Sequence, residues 1–235
     1  MPDRNAAAQR VIGNAKAFRD LEYDTYFIGL SKKKDLCNVI DEYEGFKYIN
    51  LNYPESSRDW IFYLTSIKQY NIYLNNRPNI VIAYNFPSIA LNRLRKWASK
   101  ESMCILADCT EWYEARGNIL FNIIKGFDTT YRMKYVHPKL DGIIAISNYL
   151  YEYYRGKTEN VIMVPPLVDL SMDKWNSNQL DFTINDSEKI RIIYAGSPGS
   201  GNKDRLDIVL SVLSQLKDEG IDNFSFSIIG MTESQ

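Results

Sequence analysis

The residues best suited to chemistry sit between Tyr194 and Asp204. There Gly196, Ser197, Gly199, Gly201 and Lys203 fall between the apolar run RIIYA and the helical pattern DIVLSVLSQL. A strand, a glycine turn and a helix start together make an anion site, because unpaired amides and the positive end of the helix dipole point at whatever sits there. Lysine beside that positive end is disfavoured by about a few tenths of a kcal/mol unless an anion is present. Lys203 is therefore read as a phosphate ligand, with Arg205 a weaker second cation; a solvated lysine is the ordinary alternative. The loop departs from a Walker A sequence, since Asn202 separates glycine from lysine and Asp204 replaces the hydroxyl that would hold magnesium. Its glycines also miss the dinucleotide order G-x-G-x-x-G.

A second set surrounds the run MCILA. Asp108 and Glu111 follow it, just past the carboxyl end of an expected parallel strand, where open α/β sheets bind ligands. A carboxylate there could orient or deprotonate a hydroxyl, while capping of the next helix is the alternative. His137, the one histidine, precedes Pro138 and reads as part of a helix stop rather than as a catalyst. Cys37, Cys104 and Cys109 lack metal or redox spacing and read as reduced packing residues of a cytosolic protein.

These residues need a scaffold. Ala8, Val11, Ile12, Ala15, Phe18 and Leu21 recur at helical spacing behind Asn5, a candidate N-cap. TYFIGL (25–30), FKYINL (46–51) and NIVIAY (79–84) read as strands, the last apolar enough to be buried on both faces. Helices are expected over 58–74, 88–99 and 118–136, with MCILA (103–107), GIIAIS (142–147) and NVIMV (160–164) as further strands. Such alternation predicts right-handed crossovers and an α/β, Rossmann-like domain over 1–167, with a mostly parallel sheet and helices on both faces. A polar linker, 168–188, leads to 189–235, read as the first βαβ unit of a second Rossmann-like domain, with its helix from about Lys203 to Asp218. Only a few residues precede the first helix, where a doubly wound domain has a strand, and one βαβ unit cannot close a core alone. Both features lead to the expectation of a fragment, lacking a first strand and the rest of the second domain.

Composition narrows the function further. The net charge of -1 lacks the basic footprint of a nucleic-acid binder, so no nucleic acid is expected as a partner. No apolar run approaches the roughly 20 residues a membrane helix needs, and MPDRNAAAQR lacks the core of a signal peptide.

Several segments resemble GT-B glycosyltransferases, specifically the family 4 group of bacterial surface-polysaccharide synthesis. DGIIAISNYLYEYY with VIMVPPLVD is similar to that family's strand-helix and its crossing into the second domain. IIYAGSPGSGNKDRLDIVLSVL is similar to its strand, glycine turn and lysine-started helix, and ILADCTEWYE resembles the Asp-x-x-Glu-Trp-Tyr segment of capsule-type members. The resemblance covers most of 5–230 and implies sugar transfer, retaining in outcome, from a nucleotide-diphosphate sugar on the second domain to a glycan or lipid-linked acceptor on the first. It implies no cofactor and no metal. Gly196, Ser197, Gly199, Gly201 and Lys203 would hold the donor diphosphate, with Arg205 standing in for an arginine the family places where Ser197 stands. Asp108 and Glu111 would act on the acceptor side, where Trp112 and Tyr113 could stack on a sugar ring or simply pack, and where Asn5 would near the cleft or cap its helix. The family's Glu-x7-Glu motif and nucleoside pocket would fall beyond Gln235, so the fragment alone is expected to be inactive. A nucleotide-sugar 2-epimerase and a non-catalytic Rossmann-like binding domain are the competing readings. In NILFNIIKGFDTTYRMKYV, Ile119, Leu120, Ile123, Ile124 and Phe127 line one side near Lys125, Arg132 and Lys134. Core packing is the preferred account of that stripe, and peripheral contact with an anionic bilayer at the inner face of the membrane is the alternative.

Overall fold

Strand and helix periodicity in the sequence is realised in a computed structural model that describes residues 6–74, 77–112, 119–167, 169, 189–196 and 204–230. The chain divides into two compact units, Met1–Leu170 and Ser171–Gln235. The first opens with helix α1 (Ala6–Asp20), whose Ala8, Ile12 and Ala15 are buried at helical spacing. Strands β1 (Tyr26–Ser31), β2 (Ile40–Tyr43) and β3 (Phe46–Asn52) form one sheet in the order β1-β3-β2, with β1 parallel and β2 antiparallel to β3. Strand β2 was not foreseen, because IDEY is too polar to read as a strand. Its signal is the Glu44-Gly45 pair between Tyr43 and Phe46, with φ of 51° and 81°. Two left-handed residues in a two-residue loop give the turn whose twist suits a hairpin.

The expected 58–74 helix is broken. α2 (Ser57–Thr65) starts at a capping box, Ser56 with Asp59, and ends at Ser66, whose extended backbone precedes a 3-10 turn at Lys68–Tyr70 and the short α3 (Asn71–Leu74). β4 (Ile80–Tyr84), β5 (Cys104–Cys109), β6 (Gly142–Ala145) and β7 (Val161–Met163) make an all-parallel sheet in sequential order. Helices α4 (Ser88–Lys100), α5 (Ile119–Tyr131) and α6 (Asn148–Arg155) connect its strands, giving a Rossmann-like α/β unit. α5 runs on through a π-helical turn, Arg132–Val136, into a 3-10 turn, His137–Lys139, that carries Pro138.

Two motif residues hold this sheet together. Asp141 accepts the Ile105 N–H at 2.7 Å, tying the start of β6 to β5, and Ser147 caps α6 by accepting the Leu150 N–H. One core cluster includes Leu91, Ile105 and Ala107 with Leu51 of β3; fully burying a leucine such as Leu91 contributes roughly 1.5–3 kcal/mol. Another gathers Cys109, Met133, Ile143, Ala145, Leu150 and Tyr154. Burial there pushes the Cys109 thiol up to about 11, so it is an inert packing group.

In the second unit, β8 (Ile190–Ala195), α7 (Leu206–Asp218) and β9 (Phe224–Ile229) form one parallel βαβ unit. The helix starts later than expected, after Arg205 in the left-handed region. The linker 168–188 lies outside the described residues, apart from Asp169.

Candidate functional site

Helix α1 supplies the main polar constellation of the first unit. Arg10 and Asn14 are one turn apart, so both reach the same place. Arg10 Nη2 donates to Asp108 Oδ1 at 2.7 Å, and its Nε lies 3.1 and 3.0 Å from the two carboxylate oxygens. Asn14 Nδ2 donates to Oδ2 at 3.2 Å. The remaining arginine nitrogen, Nη1, turns to the carbonyls of Val164 and Pro165, just past β7, at 2.9 and 3.4 Å. Burial pushes the Asp108 carboxyl up from its ordinary value, while the hydrogen bond and charge of Arg10 pull it back.

This geometry corrects the reading of Asp108. β5 extends through Cys109, so Asp108 lies inside the strand rather than past it. With 2% exposure and four donor contacts, its carboxylate has no lone pair turned to an acceptor hydroxyl. It is an anchor that fixes α1 across the ends of β5 and β7. Lys16, further along α1, adds bonds of 2.6 Å to both Asp169 and Glu44; these raise its pKa, Asp169 more than Glu44.

A neighbouring cluster ties β4 and β5 to the helices. Asp128 Oδ1 accepts the Ser88 N–H at 2.7 Å, and Arg132 Nη1 lies 3.3 Å from the carbonyls of both Asn85 and Phe86. Asn85 Nδ2 donates to Thr110 Oγ1 at 2.9 Å. Arg132 is therefore buried, not a surface cation beside the apolar stripe. The stripe itself is open, with Ile119 81%, Ile123 63% and Phe127 58% exposed, which corrects the expectation of core packing. Phe127 stacks on Tyr131 with centroids 5.7 Å apart, and Tyr131 continues the row to Tyr135.

The remaining predicted residues of the first unit separate. Glu111 is exposed on the segment after β5. Trp112 packs edge-on against Tyr153 at 4.9 Å between centroids, joining the second core cluster. His137 is buried, with Nδ1 3.0 Å from Tyr154 Oη, which also lies 3.1 Å from the Met133 carbonyl oxygen. Burial, and secondarily the Arg132 charge, push its pKa down to about 3. Asn5 and Tyr113 lie outside the described residues.

In the second unit, glycines occupy the carboxyl ends of both parallel strands. Gly230 has φ of 100°, and a Cβ there would come within 2.4 Å of the Gly196 carbonyl oxygen. Both demands exclude any side chain at Gly230, while at Gly196 a Cβ would meet the Tyr194 hydroxyl at 2.9 Å, so that ring covers the first glycine. The Gly196 N–H is spent on the Ile229 carbonyl at 2.9 Å, so it cannot donate to a phosphate. Arg205 forks onto Asp207, with two bonds of 3.0 Å, and Tyr194 donates to Asp204 at 2.6 Å. Ser197, Gly199, Gly201 and Lys203 lie outside the described residues.

No family model and no curated protein matches the chain. Among the described residues no group of histidine, cysteine and acidic side chains could hold a metal ion, and no helix is long and apolar enough to cross a membrane.

Sequence reading missed Arg10, Asn14 and Lys16. Their spacing on α1 was legible, yet a charged residue on an amphipathic helix normally faces solvent, and apart from Glu44 their partners lie 94 to 155 residues away. The Ser88–Asp128 and Arg132 contacts were hidden for the same reason.

Proposed function

We propose that the protein handles a nucleotide-diphosphate sugar as a retaining GT-B glycosyltransferase of the surface-polysaccharide type. The donor sits on the second unit and a glycan or lipid-linked acceptor on the first. The observation that carries this reading is the ledge of two glycines, Gly196 and Gly230, at the carboxyl ends of two adjacent parallel strands, the edge at which open α/β sheets bind ligands. The chain that leaves this ledge carries Ser197, Gly199, Gly201 and Lys203. As the diphosphate departs, negative charge grows on it, and a lysine with backbone amides lowers that barrier electrostatically. With Gly196 and Arg205 already engaged, Lys203 bears most of that role. Glu111 is the carboxylate left for the acceptor side, since Asp108 is held by Arg10. The exposed side of α5 supports a lipid-linked acceptor, with Ile119, Ile123 and Phe127 resting on the bilayer surface.

Calorimetric titration with inorganic pyrophosphate and with uridine and guanosine diphosphate sugars tests the donor assignment. Diphosphates should bind, and Lys203→Ala should weaken them by at least about 1 kcal/mol through loss of a charged hydrogen bond. Unchanged affinity in that variant would remove Lys203 from the site, and no diphosphate binding at all would remove the donor assignment. The saturation of Asp108 is the one observation that favours a non-catalytic binding domain instead. The 2-epimerase alternative, which calls on histidines for acid-base work, finds its one histidine buried, neutral and bonded to Tyr154.

A further inference from the structure

The amino end of helix α4 carries a carboxylate that is only half used. Asp128 Oδ1 accepts the Ser88 N–H, which fixes the group in place. Its Oδ2 lies 3.8 Å from Arg132 Nη1, too far for a hydrogen bond, and has no other partner among the described residues. The Asp128 side chain is 16% exposed and that of Arg132 3%, so it is the carboxylate that solvent reaches. An oxygen held this way keeps its lone pairs for a donor brought by a ligand.

Three aromatic rings stand beside it. α2 packs against α4, and Trp60 and Tyr63, three residues apart on α2, share one side of that helix. Trp60 meets Tyr53, which follows β3, edge-on at 5.6 Å between centroids, and Tyr63 at 5.9 Å. Burial raises the Tyr63 pKa and the charge of Asp128 adds to it, which places the hydroxyl within reach of that carboxylate. The hydroxyl has no hydrogen-bond partner among the described residues. No residue of α2 is buried, and Trp60 is 38% exposed, so this side of the helix is open to a ligand.

Charge decides what kind of ligand suits the cluster. Arg132 already balances Asp128, and Lys32 Nζ lies 5.1 Å from the centroid of the Tyr53 ring, so an added cation gains little. Asp128 occupies the amino end of α4, where an anion would otherwise bind, so an added anion is repelled. What remains is a neutral molecule with an apolar face and hydroxyls at its rim. A pyranose has both, its C–H bonds meeting the negative face of an aromatic ring.

We propose that Asp128, Trp60 and Tyr63 form a saccharide subsite in which Asp128 Oδ2 accepts from a hydroxyl of a neutral pyranose, the sugar face lies on Trp60, and the Tyr63 hydroxyl bonds its rim. The proposal deepens the acceptor assignment and rests on it in one respect: the sugar is the outermost one of the glycan acceptor. Asp128 is then a second carboxylate on that side, beside Glu111.

The test titrates the full chain with the methyl glycosides of glucose, galactose, mannose and N-acetylglucosamine, read by saturation-transfer NMR and calorimetry, with pyrophosphate titrated in parallel. At least one glycoside should bind saturably. Asp128→Asn, which keeps an acceptor for the Ser88 N–H, and Trp60→Leu should each weaken it at least about tenfold. Tyr63→Phe, which removes one oxygen, should weaken it about threefold, with thermal midpoint and pyrophosphate affinity unchanged. No saturable binding by any of the glycosides would overturn the inference, and so would binding that Asp128→Asn and Trp60→Leu leave unaltered. Should Asp128→Asn lower the thermal midpoint, Trp60→Leu and Tyr63→Phe decide the matter. Glycoside binding without pyrophosphate binding would remove the donor assignment and leave the subsite standing; the reverse would remove the subsite alone.

Discussion

Arg10 and Asp108 illustrate how one buried pair can settle several questions. Removing one partner of such a pair leaves an uncompensated charge, so Arg10→Ala should destabilise the protein by about 3–5 kcal/mol in urea denaturation. Replacing both, as Arg10→Met with Asp108→Leu, should cost far less. A loss under about 1 kcal/mol in the single variant would mean that the pair does not anchor α1. His137 sets a pH dependence whose sign follows from its depressed pKa. Between the ordinary value of 6.5 and about 3, the unfolded chain takes up a proton that the folded protein refuses. Its contribution is complete above 6.5 and is lost on acidification, by up to about 1.4 kcal/mol per pH unit. His137→Gln should flatten that part of the stability profile between pH 6 and 4; identical slopes would show that His137 is protonated without unfolding. The histidine's position before Pro138 was legible as a helix stop, but its partnership with Tyr154 was not, because nothing local fixes which way α6 presents that ring.

Among the elements, α2 and α5 separate local from tertiary causes. The capping box of α2 is written in the sequence, and Ser56→Ala should lower stability by about 1 kcal/mol, read as a shift in the thermal midpoint. No shift would place that helix end outside the cooperative unit. α5 has helical periodicity, but periodicity alone does not say which side meets the core. The side bearing Ile119, Ile123 and Phe127 is open, while Asp128 and Arg132 turn inward to the ends of β4 and α4. Ile123→Glu with Phe127→Glu should therefore leave the thermal midpoint within a few degrees and abolish co-sedimentation with vesicles of anionic lipid. A collapse in stability would instead assign the stripe to packing. The hairpin of β2 and β3 was written in Glu44-Gly45, yet its first strand escaped notice because its side chains are polar and only register with β3 makes it a strand.

For the whole molecule, the two units differ in how much they bury. Residues of β5 and β6 lie in the core, whereas none of the described residues of the second unit is buried. Amides of β8, β9 and α7 should exchange much faster than those of β5 and β6, since local opening there exposes little new apolar surface. Equal protection would show that the second unit has a core of its own. Sequence by itself determined the alternation of strands and helices and the Ser147 cap, because these depend on contacts within a few residues. Only the tertiary structure decided that Asp108 is consumed by Arg10 and that α5 keeps its apolar side in the open. Each of these turns on which groups from distant parts of the chain arrive at one place, and so on which charges are desolvated and which backbone amides find a partner.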